Sequence, residues 1–136
     1  MKSMNPYQMF ETDENLETSG IWIDYGSFKF KIARAGGSNE KYRRLLQNRM
    51  KPYRRQVQTE TMSEEKASEI LLGTFVDSVL LGWEGVTDRE GNPLEYNREN
   101  ALKLFTDLRE LFLDLQTQSQ KVSLFRKMEV ETDLGN

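Results

Sequence analysis

The sequence predicts an α+β fold that is mainly helical, with a β-hairpin near the amino end packed on four or five helices. Three observations carry that expectation. Ile21-Trp22-Ile23 and Phe28-Lys29-Phe30-Lys31-Ile32 are β-prone runs flanking the turn residues Asp24-Tyr25-Gly26-Ser27. Three later segments place their apolar residues at three- and four-residue steps, the spacing of amphipathic helices. A two-stranded ribbon is not stable alone, so those helices must cover its apolar side.

Residues 1–19 mix polar and acidic groups without helical or alternating order, and Glu11-Thr12-Asp13-Glu14-Asn15 has nothing to bury, which predicts a flexible arm. In the hairpin, Phe28, Phe30 and Ile32 share one face and Lys29 and Lys31 the other, so one side is built for a core. Ala35-Gly36-Gly37 breaks the strand as a turn. Ser38 or Asn39 then caps a helix whose stripe is Tyr42, Leu45, Leu46 and Met50. Lys51-Pro52 ends it, because the residue before proline avoids helical geometry. Tyr53 to Glu60 reads as a polar connection.

Thr61, with Glu64 three residues on, forms a capping box that opens a central helix reaching about Leu81. Its apolar face is Ile70, Leu71, Phe75, Val76, Val79 and Leu80, with Lys66, Glu69, Gly73 and Asp77 on the other side. Gly82 in the left-handed conformation would terminate it, with Trp83 folding back as the accompanying contact. Glu90-Gly91-Asn92-Pro93 makes a tight turn, and Asn97 caps the next helix with Tyr96 and Ala101 as a staple. Ala101, Leu102, Leu104, Phe105, Leu108, Leu111, Phe112 and Leu115 continue the core stripe, so Leu108→Asp is expected to unfold the domain. Gln116 to Gln120 weaken the stripe before Val122, Leu124, Phe125 and Met128 resume it, which leaves one long helix or two open. The organisation expected is an arm over 1–19, one domain over 20–128 and a polar, fraying tail over 129–136.

Composition narrows the function. At 136 residues and 37% hydrophobic, the chain can bury roughly two thirds of its unfolded surface in one core. A net charge of −3 and a mean hydropathy of −0.72 describe a soluble protein without excess basic charge for polyanions. No apolar run approaches the length of a membrane span and Met1 to Asn5 do not begin a signal peptide, so a cytoplasmic location is expected. Without cysteine or histidine, disulfides, thiolate chemistry and the commonest general base and metal ligand are gone. No Gly-rich phosphate loop, Ser/His/Asp set or dinucleotide fingerprint occurs, and neither enzyme activity nor a cofactor is expected.

Four features compete for a role. Glu84, Asp88, Glu90 and Glu95 crowd one loop, where carboxylates can hold a cation, but Asp88 to Asn92 is too short for a calcium loop and a solvated turn is the expected state. Lys41, Arg43, Arg44, Arg49, Lys51, Arg54 and Arg55, with Tyr42 and Tyr53, suit a solvated face, an acidic protein partner or single-stranded nucleic acid. The acidic balance weighs against nucleic acid. Trp83 is expected in the core. Trp22 faces away from Ile21 and Ile23 and, with Tyr25, marks the hairpin as a docking candidate.

One stretch has the character of a family signature. It runs Gly82-Trp83-Glu84-Gly85-Val86-Thr87-Asp88-Arg89-Glu90-Gly91-Asn92-Pro93-Leu94-Glu95-Tyr96-Asn97-Arg98-Glu99-Asn100, with Trp83, Gly85, Gly91, Pro93, Tyr96 and Asn97 as its structural positions. It resembles the tail assembly chaperones of long-tailed, siphovirus-type bacteriophages and prophages. The likeness is strongest from Leu71 to Phe112 and extends by order of elements to the Trp22 hairpin and the Tyr42 helix. It implies a non-catalytic chaperone of the host cytoplasm, not retained in the mature virion. Such a protein binds the long helical tape measure protein and keeps it soluble until the tail tube protein polymerises around it. It also implies a frameshifted longer form contacting the tube protein, and leaves self-association open. A chaperone of this kind needs an exposed apolar patch rimmed by charge.

Overall fold

The computed structural model describes residues 4–127; Met128 and the expected tail over 129–136 lie outside the described residues. The predicted hairpin forms, with β1 (Ile21–Asp24) antiparallel to β2 (Lys29–Ile32) in a register that pairs Ile21 with Ile32 and Asp24 with Lys29. Its alternation is the predicted one. Phe30 and Ile32 are fully buried, and the helices leave the Trp22, Lys29 and Lys31 face open.

The hairpin is two thirds of a sheet. Leu80–Glu84 forms β3, antiparallel to β2 on its other side, giving the order β1-β2-β3. This corrects the expectation of a helix reaching Leu81 and closed by Gly82. Gly82 lies opposite Lys31 in the strand and is not among the positive-φ glycines. The free edge of β2 offers backbone groups that need partners, and pairing Phe30 with Trp83 buries both side chains, with ring centroids 5.8 Å apart. Tertiary pairing thus outweighs the helical periodicity of Val79-Leu80-Leu81.

Among the described residues five helices follow the arm and hairpin: α3 (Glu40–Met50), α4 (Arg54–Gln58), α5 (Glu64–Ser78), α6 (Arg98–Asp107) and α7 (Arg109–Ser119). Asn39, not Ser38, caps α3: its Oδ1 accepts from the Tyr42 amide at 3.4 Å. Its buried Nδ2 also donates to the Arg34 and Ser78 carbonyls, so one side chain ties three segments together. Pro52 falls in a 3-10 turn, Lys51–Tyr53, and α4 replaces part of the predicted polar connection. Ser63 rather than Thr61 caps α5, accepting from the Lys66 amide at 3.1 Å, while the Thr61 hydroxyl bonds Thr59. Asn97 caps α6 as expected, accepting from the Asn100 amide at 2.7 Å.

Leu108 separates α6 from α7 with a non-helical ψ of 71°, and the residue is 47% exposed. It is therefore not a core residue, and the expectation that Leu108→Asp unfolds the domain does not stand. Residues 98–127 hold two helices and a 3-10 turn, Val122–Leu124, with one break at Leu108 and the end of α7 at Ser119, inside the Gln116 to Gln120 stretch. Turning the chain at Leu108 lets Phe105 and Phe112 both face Phe75.

Residues 6–19 also depart from expectation. They form α1 (Pro6–Phe10), closed by an Asn5/Gln8 capping box, and α2 (Glu14–Ser19), capped by Asp13. The segment is stitched to the far end of the chain, with the Asp13 amide donating to the Phe125 carbonyl at 2.8 Å and the Lys127 amide to that of Glu11 at 3.0 Å. Caps and backbone bonds, not an apolar stripe, order it. The core is one cluster built from Phe30, Ile32, Phe75, Val79, Trp83, Ala101, Phe105, Phe112 and Leu115, with α5 packed between α3 and α6.

Candidate docking surface

At 100° per residue, α5 has two opposed sides. One carries Lys66, Gly73 and Asp77 and receives α3. Arg49 reaches across so closely that a Cβ at Gly73 would lie 3.6 Å from its Nη1. Asp77 accepts from Arg49 Nη2 at 2.7 Å and from Arg98 Nε at 2.7 Å, joining α3, α5 and α6. Burial works to raise the Asp77 carboxyl, but the two guanidinium groups outweigh it and hold the pKa below the ordinary value. The polar side of the sequence pattern is thus a helix interface.

The other side of α5 faces α6 and α7 across a groove of about 600 Å3. Its floor is apolar: buried Phe105 and Phe112, half-buried Leu71 and Leu72, and Leu113, which is 37% exposed. Glu64, Glu65 and Glu69 line it from α5, and Thr106, Arg109 and Gln116 from the opposite wall. Glu69 is 3.7 Å from half-buried Lys66, whereas Glu64, Glu65 and Arg109 enter no ion pair among the described residues. Glu64 and Glu65 sit in the first turn of α5, where the helix dipole favours negative charge; Glu69 lies beyond it. This is an apolar surface with a charged rim.

The candidates read from sequence are distributed elsewhere, and the structure does not bring them together. Trp22 is 41% exposed on the open sheet face, with Lys29 Nζ 4.7 Å and Lys31 Nζ 5.9 Å from its ring centroid. Tyr25 turns the other way, stacks on Phe28 and donates its hydroxyl to Asp114 Oδ2 at 2.5 Å. Burial first, and then the Asp114 carboxylate, push its pKa well up. Arg43 pairs with Glu40 on the surface of α3, and Arg44, Arg54 and Arg55 are exposed on α3 and α4. Arg49 is spent on Asp77. The exposed arginines among these candidates therefore lie on α3 and α4 and do not line the groove.

The signature residues form one packed joint between sheet and α6. Trp83 is buried and donates through Nε1 to the Leu94 carbonyl at 2.9 Å; Tyr96 meets its ring edge-on at 5.1 Å and donates to the Leu80 carbonyl at 3.2 Å. Gly85 has φ +76°, and a Cβ there would lie 2.6 Å from the Ser27 carbonyl oxygen. Gly91, at φ +87°, lets the loop turn back so that Thr87 bridges Pro93. Asp88 Oδ1 accepts from the Asn92 and Glu90 amides, which lower its pKa. Glu84 pairs with Lys29. Among the described residues no three His, Cys, Asp or Glu side chains are grouped to hold a metal ion, and no helix is long and apolar enough to cross a membrane.

Sequence reasoning missed the groove. Its one local signal was Leu113, an apolar residue beside the Leu111, Phe112 and Leu115 stripe. It also missed the buried pair of Glu17 and Arg34, because nothing in a polar segment marks which carboxylate goes inside.

Neither a curated protein nor a solved structure matches the chain. A family model described as YdaY prophage protein matches residues 37–136, well over half the chain, covering α3 to α7, β3 and both walls of the groove. The chain belongs to the YdaY prophage protein family.

Proposed function

We propose that this prophage protein is a non-catalytic tail assembly chaperone that binds the tape measure protein and helps recruit the tail tube protein in the host cytoplasm. The observation that carries the reading is the groove between α5 and α7, an apolar floor open to solvent and bordered by carboxylates. A surface of that kind covers another protein's apolar segment reversibly while its rim keeps the free chaperone soluble. Prophage membership and the Trp83 to Asn97 joint support it. A chain without cysteine or histidine, whose loop residues Asp88 and Glu84 hold a turn and a lysine, supports a binding role over catalysis. Recruitment of tube protein through a frameshifted longer form, and absence from the mature virion, belong to the same proposal.

A second reading, a small nucleic-acid-binding regulator, draws on the exposed Lys41, Arg44, Lys51, Arg54 and Arg55. Loss of Arg49 to Asp77 and pairing of Arg43 with Glu40 weaken it. Co-expression of the tagged protein with its neighbouring tail genes, followed by mass spectrometry with and without nuclease, separates the two. Nuclease-resistant recovery of a very long helix-rich protein is expected; recovery of nucleic acid without such a protein would overturn the chaperone reading.

A further inference from the structure

We infer that the groove takes an amphipathic helix whose apolar stripe is flanked, on the side facing α5, by lysine or arginine. This rests on the chaperone reading for the partner's identity, but the chemistry is set by the groove. From Glu64 to Leu72 its α5 wall advances eight residues, about 12 Å or two helical turns, the span of an i, i+3, i+7 stripe. Three carboxylates border that wall, while the opposite wall offers the single cation Arg109. The helix dipole accounts for Glu64 and Glu65; Glu69 lies beyond its reach, 3.7 Å from Lys66 and with its side chain still 72% exposed.

Other occupants fit less well. The chain's own carboxyl end carries Glu129, Glu131 and Asp133, the sign of the rim it would have to meet. The basic α3–α4 face of a second copy has the right charge, but α4 is five residues long with Val57 as its one aliphatic side chain, too little for a stripe. A basic-flanked helix satisfies both floor and rim.

The test uses the full chain and two 18-residue helical peptides with the same leucine stripe, one flanked by lysine and one by glutamate, followed by fluorescence anisotropy. The lysine peptide is expected to bind about tenfold tighter in low salt, with the preference shrinking as salt screens the rim. Combining Glu64→Gln, Glu65→Gln and Glu69→Gln is expected to bring the two affinities within about twofold, and Leu113→Asp to abolish both while thermal melting is kept. Equal affinities for wild type, or a preference surviving the triple substitution, would overturn the inference. So would a free dimer that Leu113→Asp converts to monomer in sedimentation, since the groove would then belong to a second copy. Failure to recover tape measure protein with wild type, alongside selective peptide binding, would sink the chaperone reading and leave the groove standing. Recovery by wild type and Leu113→Asp alike would do the reverse.

Discussion

Arg34 Nη1 lies 2.5 Å from Glu17 Oε2, an ion pair that fastens α2 to the segment leaving β2. The other carboxylate oxygen accepts from the Ser38 hydroxyl at 2.8 Å and the Ser38 amide at 3.2 Å. Gly37, at φ +54°, passes so close that a Cβ would strike the carboxylate. What sequence reads as a simple Gly-Gly turn is also the wall of a buried acidic site.

Burial alone would raise the Glu17 pKa, but the Arg34 and Ser38 bonds prevail and hold it below the ordinary 4.5. A depressed carboxylate contributes stability above its unfolded value and loses it as pH falls through the folded one. Glu17→Gln, which leaves Arg34 without its counter-charge, is expected to cost about 3 kcal/mol at neutral pH. The gap between wild type and variant in chemical denaturation should narrow as pH falls below 4.5; Asp77 is present in both proteins and cancels from the difference. A gap independent of pH would show that Glu17 does not act as a charge.

Gly85→Ala and Gly82→Ala distinguish the strand reading of this region from the helix-cap reading. Gly85 has positive φ and no room beside Ser27, so alanine there is expected to cost roughly 1–2 kcal/mol or more. At Gly82 nothing lies within 4 Å of a Cβ and φ is not positive, so alanine should be neutral within about 0.5 kcal/mol. Thermal melting of both variants reads the difference.

Leu115 and Leu108 sit on the same predicted stripe but meet different surroundings. Leu115 is fully buried, and Leu115→Ala is expected to cost about 2–5 kcal/mol. Leu108→Asp should remain folded with a loss within about 1 kcal/mol. Urea midpoints for the two, with unchanged slopes, check the order.

Asp77 holds Arg49 and Arg98 at once, and the two partners differ in exposure, with 33% and 60% of their side chains accessible. Arg49→Ala is therefore expected to destabilise more than Arg98→Ala, whose ion pair solvent screens to well under about 1 kcal/mol. Denaturation of the single and double variants with Asp77→Ala gives each coupling.

The fold class was legible because hairpin alternation and helical stripes are local patterns. Phe30 and Ile32 went inward, Asn97 capped its helix and Trp83 entered the core as their spacing implied. What escaped depended on partners distant in sequence. β3 exists because β2 has an edge to fill, α5 stops at Ser78 to allow it, and Leu108 leaves the stripe so that α7 can turn. The amino-terminal helices lack an apolar period, since polar caps and one buried carboxylate order them. The groove was illegible for the same reason: it is the gap between α5 and α7, and periodicity describes each helix without saying which sides face one another.

Site-specific photocrosslinking decides whether this prophage protein holds a helical partner in that groove, as we propose. A benzophenone amino acid would replace Leu113 in the groove, and in a second variant Arg44 on the basic face, each co-expressed with the tail genes. The expected result is a crosslink from position 113 to a very long helix-rich protein and none to it from position 44. A partner or nucleic acid captured from position 44 alone, with position 113 silent, would rule out the groove as the binding surface.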